Sequence, residues 1–556
     1  MRVPMRLLLA SAAGLALATS LTVAAAPVGA ANLTPQTRAG ATAIVAGTGH
    51  AVARSVTVRS SARITGAADS AGLPGPLGQD GLPAGSNLPA SASSSARTRP
   101  ASAPQARAGT AAGPNAGQPT RAAESGMRSA MTAVSSPQVG FRGISEGSSD
   151  CTNCQTPDVS AAVSSTQIAE TVNLSLQVYS KSGTTLCTEG LSDLLGAYTA
   201  LSRPRIQYDN ANKRFSLIID SVPQSSSDVP IQYLATSQAD DACGAWWVYS
   251  MVFTGSSFYP FGATLDYPYL GQDSTSILSS TNNYDFGGTY IGSAAYAMPK
   301  SAAYSGTGFD FTTYSVAFST APVTVAGIPT FTTTSTYWLA SVPGTGYDLY
   351  VMPTNPAGTI SLQAVIKATF SAPSRQVNQP GTSQTLDPLD GRIESAPVQD
   401  GNYVWFTHGV DDSGYPTVRY GAINVKTDQA ITADAFHGNG SDDFNPSIGV
   451  TDAGSNTNYI WVNWAYTDKS AGVPVSDTVV GIAPGQGVPN EIGADLTLVT
   501  GSSTSSISTF GGYSSTEVDP AALNSSCPAG LTALTSQEYF TSTGSWTTQL
   551  ARTTFC

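Results

Sequence analysis

One unit recurs along most of this chain and limits what it can fold into. Arg203-Pro204-Arg-Ile-Gln-Tyr-Asp209 leads into Arg214-Phe-Ser-Leu-Ile-Ile219, and Tyr267-Pro268-Tyr-Leu-Gly-Gln-Asp273 into Ser276-Ile-Leu-Ser-Ser280. Ala396-Pro397-Val-Gln-Asp400 precedes Tyr403-Val-Trp-Phe-Thr407, and Asn445-Pro446-Ser-Ile-Gly-Val-Thr-Asp452 precedes Tyr459-Ile-Trp-Val-Asn-Trp464. Tyr513-Ser514-Ser-Thr-Glu-Val-Asp519 keeps the same offset with Ser in the Pro position, and weaker copies begin at Pro157 and Pro329. Each unit predicts a short strand starting at Pro or Ser, a turn at Asp, Asn or Gly, and an aromatic or β-branched strand returning through a core. The anchors at 157, 204, 268, 329, 397, 446 and 514 lie 47, 64, 61, 68, 49 and 68 residues apart. That spacing holds four short strands with their turns, so seven anchors predict an all-β fold, a single seven-bladed β-propeller over residues 137–556. Six or eight blades, or a pair of β-sandwiches, are the neighbouring solutions.

Composition agrees with strands and turns. Only 11% of the residues are charged, while Gly fills 54 positions and Pro 35, a balance that weakens helices. Residues 1–30 carry Arg2 and Arg6, then an apolar run from Leu7 to Ala26, then Val28-Gly29-Ala30, which predicts a signal peptide cut after Ala30 and a secreted or cell-surface protein. No later run is apolar and long enough to predict a transmembrane segment once that signal is removed. Residues 31–136 hold no Cys, Trp, Phe or Tyr and are mostly Ala, Ser, Gly, Pro and Arg. Such a stretch predicts a disordered linker or pro-region.

From residue 137 onward, 14 Lys and Arg face 34 Asp and Glu. A surface that acidic repels nucleic acid, and no basic patch accompanies the aromatics. All six cysteines, Cys151, Cys154, Cys187, Cys243, Cys527 and Cys556, fall in this part. In an exported chain an even number predicts disulfides, with 151–154, 187–243 and 527–556 as the pairing of neighbours among fifteen possibilities. A Cys527–Cys556 bond would tether the last strand of the ring.

Several fragments carry a resemblance. Leu174-Ser-Leu-Gln-Val-Tyr-Ser-Lys-Ser-Gly183, Arg205-Ile-Gln-Tyr-Asp209, Asp266-Tyr-Pro-Tyr-Leu-Gly271, Gly512-Tyr-Ser-Ser-Thr-Glu-Val-Asp-Pro520 and the ending from Tyr539 through Trp546 to Cys556 resemble an uncharacterised family of secreted bacterial β-propeller proteins. The resemblance spans residues 150 to 556 and implies the propeller and export, but no activity. Members usually carry an Asp where Gly512 stands here.

Chemistry is less legible. Of three histidines, His50 falls in the linker, His408 shares a strand face with Val404 and Phe406, as a buried hydrogen-bonded ring would, and His437 sits on a Gly-rich turn. This inventory speaks against a His-rich metal centre. Asp411-Asp412 and Asp442-Asp443 offer oxygen ligands for a structural calcium, without an EF-hand around them; no other cofactor is expected. Asp266, Asp387, Asp390, Glu394, Asp442 and Asp443 precede recurring strands and are the carboxylates a propeller could converge on its channel for glycoside hydrolysis. Asp209, Asp273, Asp400, Asp452 and Asp519 repeat after the first strand of each unit and read as turn formers. Trp246 and Tyr284 are the rings to stack on a sugar. The leading expectation is a non-catalytic propeller that binds an extracellular glycan or protein. A glycoside hydrolase using paired carboxylates and an adhesion or assembly protein are the alternatives.

Overall fold

The computed structural model describes residues 44–58 and 139–556, apart from short stretches at 149–155, 198–199, 254–255, 327–333, 355–356, 452–457, 485–494, 507 and 543. The expected signal peptide, Pro329 and the turn at Asp452 lie outside the described residues. Among the described residues strands dominate, and the helices are two short turns, Leu191–Leu195 and Lys300–Ala303. The strands fall into seven four-stranded antiparallel blades. Their first strands are Ser160–Val163, Ala200–Asp209, Thr264–Gln272, Ala321–Pro322, Val398–Asp400, Asp442–Val450 and Ser515–Val518. Neighbouring first strands follow one another round a ring, the last touching the first, and Thr324–Val325 carries the step from blade 3 to blade 5 by parallel pairing with both. The chain is a seven-bladed β-propeller, as its repeats predict.

The repeat anchors land where the first strands lie, with one difference of geometry. Pro204, Pro268 and Pro446 do not start their strands: each follows a left-handed residue, Arg203, Tyr267 or Asn445, inside a β-bulge. Proline has no N–H for the ladder, so a bulge is where a first strand tolerates it. In the blade anchored by Pro329 in sequence, the first strand is Ala321–Pro322, upstream of the anchor.

Blades pack face to face through rings placed by strict alternation. Ile460, Val462, Trp464 and Tyr466 join Val418 and Tyr420 of blade 5, whereas Trp461 packs with Ala533 of blade 7. A strand apolar on both sides therefore serves two interfaces, which explains why Ile460–Asp468 alternates between two apolar sets instead of apolar and polar ones.

Ring closure uses both ends of the propeller. Val139–Ser145 forms the outermost strand of blade 7 beside Trp546–Thr554, so the last sheet takes its fourth strand from residues that precede the first blade. Cys527 and Cys556 form the expected tether, and Cys187 joins Cys243 between blades 1 and 2. Cys151 and Cys154 lie outside the described residues. The linker expectation needs a correction: within residues 31–136, Val45–Thr57 is a strand inserted between the outer strands of blades 2 and 3. Its alternation is weak and it has no aromatic rings other than His50, so composition conceals it, and its partners are edge strands that supply the hydrogen bonds.

The Cys187–Cys243 bond closes a loop with a sequence separation of 56. Replacing both cysteines by serine should lower the unfolding free energy by roughly 2–4 kcal/mol. Denaturant titration of the variant against the native chain measures it, and an unchanged midpoint would mean the bond constrains nothing.

Candidate ligand site on the propeller axis

Seven first strands around an axis leave a channel that side chains must fill or line. At the end where these strands begin, it is filled. The ring of Tyr267 from blade 3 meets that of Tyr513 at the start of blade 7, with centroids 4.5 Å apart. Blades 3 and 7 stand on opposite sides of a seven-membered ring, so this contact spans the axis. Arg392 lies 4.6 Å over Tyr267 and Arg205 lies 4.2 Å over Tyr513, making a column of Arg, Tyr, Tyr and Arg. Hydrogen bonds lock it: the Tyr267 hydroxyl donates to the Gly512 carbonyl at 2.5 Å, and the Tyr269 hydroxyl to the Ile393 carbonyl at 2.6 Å.

Buried charges surround the column. Arg203 Nε is 2.9 Å from Asp266 Oδ1, and Asp158 accepts the Gly512 N–H at 2.7 Å. A Cβ on Gly512 would stand 3.0 Å from an Arg203 nitrogen, so an Asp there would reach the guanidinium that Asp158 and Asp266 already serve. Asp390 clasps Arg392 through two hydrogen bonds of 2.8 Å; burial pushes its carboxyl up, but the Arg392 charge wins and holds it below the usual range. Glu394 is fully buried with only weak support from the Gly409 N–H, and burial pushes its carboxyl far up.

The other end of the channel is open. A cavity of about 350 Å³ lies among the ends of the first strands and is lined by Arg205, Gln207, Gln272, Thr324, Ser395 and Glu517, among others. Arg205 connects the two ends, lining the cavity while its guanidinium covers Tyr513. Arg205 Nε and Nη1, Gln207 Oε1 and Ser395 Oγ are buried and have no hydrogen-bond partner within the described residues. Buried donors and acceptors are ordinarily hydrogen-bonded, to protein or to ordered water, so this group of polar atoms beside one cavity marks it as the candidate site. The carboxylates at the rim differ in state. Asp209 is held by Lys300 at 2.6 Å, and Asp519 by Arg552 at 2.6 Å and Lys181 at 2.8 Å. Among the described residues Glu517 has no cation in salt-bridge contact; burial raises its carboxyl to about 7 against a weaker opposing pull from Arg205.

The sequence candidates distribute unevenly over this geometry. Asp266 and Glu394 belong to the buried column, Asp390 holds Arg392 from a half-buried position, Asp387 caps the turn at Leu389, and none of the six carboxylates lines the axial cavity. Asp442 is paired with Arg375 and accepts the Asn378 N–H; Asp443, raised to about 7 by burial, accepts from Trp464, Ser441 and the His437 N–H. Asp411 caps its hairpin turn by accepting the Gly414 N–H. Trp246 and Tyr284 are corrected outright: both are fully buried, and the Trp246 indole donates to the Ala242 carbonyl, so neither presents a face to a sugar. His408 is buried between Tyr347 and the Gly409 carbonyl and lowered to about 3 by burial. Asp209 and Asp519 cap turns as their repetition implies, through Ala211, Asn212 and Ala521. Sequence reasoning misses Arg205 and Glu517. A signal is present in Arg205-Ile-Gln207, where two polar side chains alternate on a first strand, but it takes the ring to make that face an axis.

No family model and no curated protein matches the chain. Solved structures do. An α-L-arabinanase of Penicillium chrysogenum complexed with arabinobiose aligns at 9% identity and a TM-score of 0.36, covering 76% of this chain and 99% of that one. The GH93 α-L-arabinofuranosidase of Fusarium graminearum aligns at 9% and 0.34, over 75% and 97%, and the N-terminal domain of Nup159 at 9% and 0.34, over 75% and 95%. Such values transfer no residue role, and function is read from the site. Among the described residues no helix is long and apolar enough to cross a membrane.

Glu517 makes a pH prediction. Its folded pKa stands above the ordinary carboxylate value, so between about pH 4.5 and 7 the folded chain keeps a proton the unfolded chain has lost, and stability falls as pH rises through that window. Glu517→Gln should therefore gain stability relative to the native chain as pH rises from about 4.5 to about 8. Denaturant midpoints at the two ends measure this, and a constant difference would show that Glu517 titrates normally.

Proposed function

We propose that this propeller acts outside the cell as a binding protein, holding a small acidic sugar or the acidic end of a glycan in the axial cavity without turning it over. One observation carries this reading: Arg205, which lines a cavity of ligand size beside Gln207 and Ser395, keeps guanidinium N–H groups that have no hydrogen-bond partner among the described residues. A guanidinium fork matches a carboxylate in two parallel hydrogen bonds, and amides and hydroxyls match sugar hydroxyls. Glu517 fits the same ligand while protonated. Once ionised it competes for Arg205 and repels an anion, so affinity should fall as pH rises through about 7. Disulfides and the N-terminal signal pattern support an extracellular setting.

Isothermal calorimetry of the whole chain with glucuronate, galacturonate and glucose tests this. The acids should bind and glucose should not, and Arg205→Gln should lose roughly 10- to 100-fold in affinity, the range for a charge-assisted hydrogen bond. Equal binding of glucose and glucuronate would overturn the reading.

A second reading, glycoside hydrolysis, is favoured by Glu517 itself. A carboxyl protonated near neutrality is what a general acid requires, although the other rim carboxylates, Asp209 and Asp519, are engaged by cations. Release of reducing ends from acidic polysaccharides, abolished by Glu517→Gln, would establish it in place of binding alone.

A further inference from the structure

The N-terminal strand Val45–Thr57 is held unlike any blade strand. It pairs antiparallel with Ala245–Val252 of blade 2 over seven residues and with Phe309–Val316 of blade 3 over six, which joins the two blades along their outer edges. Only Ala46 and Ala51 of its thirteen residues are buried, so backbone pairing rather than apolar burial holds it. The slot nevertheless reads sequence. The Tyr259 ring would stand 3.1 Å from a Cβ at Gly47, the Phe311 ring occupies the space a Cβ at Gly49 would need, and Ala51 is fully enclosed. His50 adds a contact of 2.7 Å to Asp310 at the rim. The slot therefore selects an extended segment with small residues in the order Ala-Gly-x-Gly-x-Ala.

The same segment is remote along the chain. Residues 58–138 separate it from the strand Val139–Ser145, a contour of about 270 Å at the extended rise per residue. Nothing in the pairing distinguishes a strand arriving from this chain from one arriving from another copy. Ladder bonds, glycine contacts and the Ala51 pocket would be identical. Without its strand the slot would expose two unpaired edges, which proteins cover.

We propose that the slot between blades 2 and 3 is a strand-acceptor site and that residues 45–57 exchange between copies of this chain, linking propellers through reciprocal strand addition. Belonging to the same chain gives a propeller's own strand an advantage equivalent to a local concentration of at most about millimolar, so exchange is a property of crowded chains.

The test uses the whole chain and a fluorescent peptide of residues 44–58. Gly49→Val drives the strand from its own slot, and Ala51→Glu does so independently, so a folding failure in one leaves the other; cooperative unfolding certifies each. The freed slot should bind the peptide saturably, at least about tenfold tighter than the same peptide carrying valine at position 49, whereas the native chain should bind it weakly. Differently tagged native copies should associate increasingly as concentration approaches the millimolar range, and Gly49→Val should abolish that association. Absence of peptide binding to both folded variants, or equal binding of the valine peptide, would overturn the acceptor site. Peptide binding without association of tagged copies at any concentration would overturn the second copy as its occupant.

Discussion

The contact of Tyr267 with Tyr513 across the axis is the interaction on which the rest of this propeller depends. A ring of seven sheets has no central element of its own, and water in the channel would wet every first strand. Two rings from opposite blades, capped above and below by Arg392 and Arg205, convert that channel into a sealed end and an open end. The sealed end buries aromatic area and stacked cations. The open end inherits a guanidinium whose flat face covers Tyr513 and whose Nε and Nη1 have no hydrogen-bond partner among the described residues. Structure and candidate site thus share one residue, Arg205.

Burying several charges around this column is costly unless each is met. Arg203 with Asp266 and Arg392 with Asp390 are met by opposite charges, whereas burial pushes the Glu394 carboxyl well above the usual range, toward the neutral form. The left-handed residues serve this arrangement. Arg203 and Tyr267 sit at bulges immediately before prolines, and a bulge re-aims a side chain that a regular pleat would send into a blade interface. What reads in the sequence as a strand start is a device for aiming side chains at the axis.

Closure at the rim follows a different logic from closure at the axis. The last blade takes its outer strand from Val139–Ser145, and the outer edges of blades 2 and 3 are joined by a strand from still earlier in the chain. Both devices cover sheet edges with chain that precedes the ring. The second relies on glycine contacts and backbone pairing, which makes it selective without making it strongly anchored.

The recurring Pro and Asp positions determined the all-β class, the blade count and the turn-forming role of Asp209 and Asp519, because turns and bulges are local and leave local marks. Cysteine spacing indicated the Cys187–Cys243 and Cys527–Cys556 pairs, and alternation from Tyr459 to Tyr466 indicated a strand packed on both faces. Tertiary structure alone decided which polar side chains face the axis, and that Trp246 and Tyr284 face inward. It also decided that Asp266 and Glu394 belong to a buried column while Glu517 stands at a cavity. A first strand's inward face is defined only once seven blades close. Arg205 with Tyr513, Arg205 with Glu517 and Tyr267 with Arg392 are far apart in the chain, and they acquire their relation from ring geometry and not from spacing. The strand Val45–Thr57 escapes a reading of the sequence for the same physical reason: its partners are edges that exist only after blades 2 and 3 have formed.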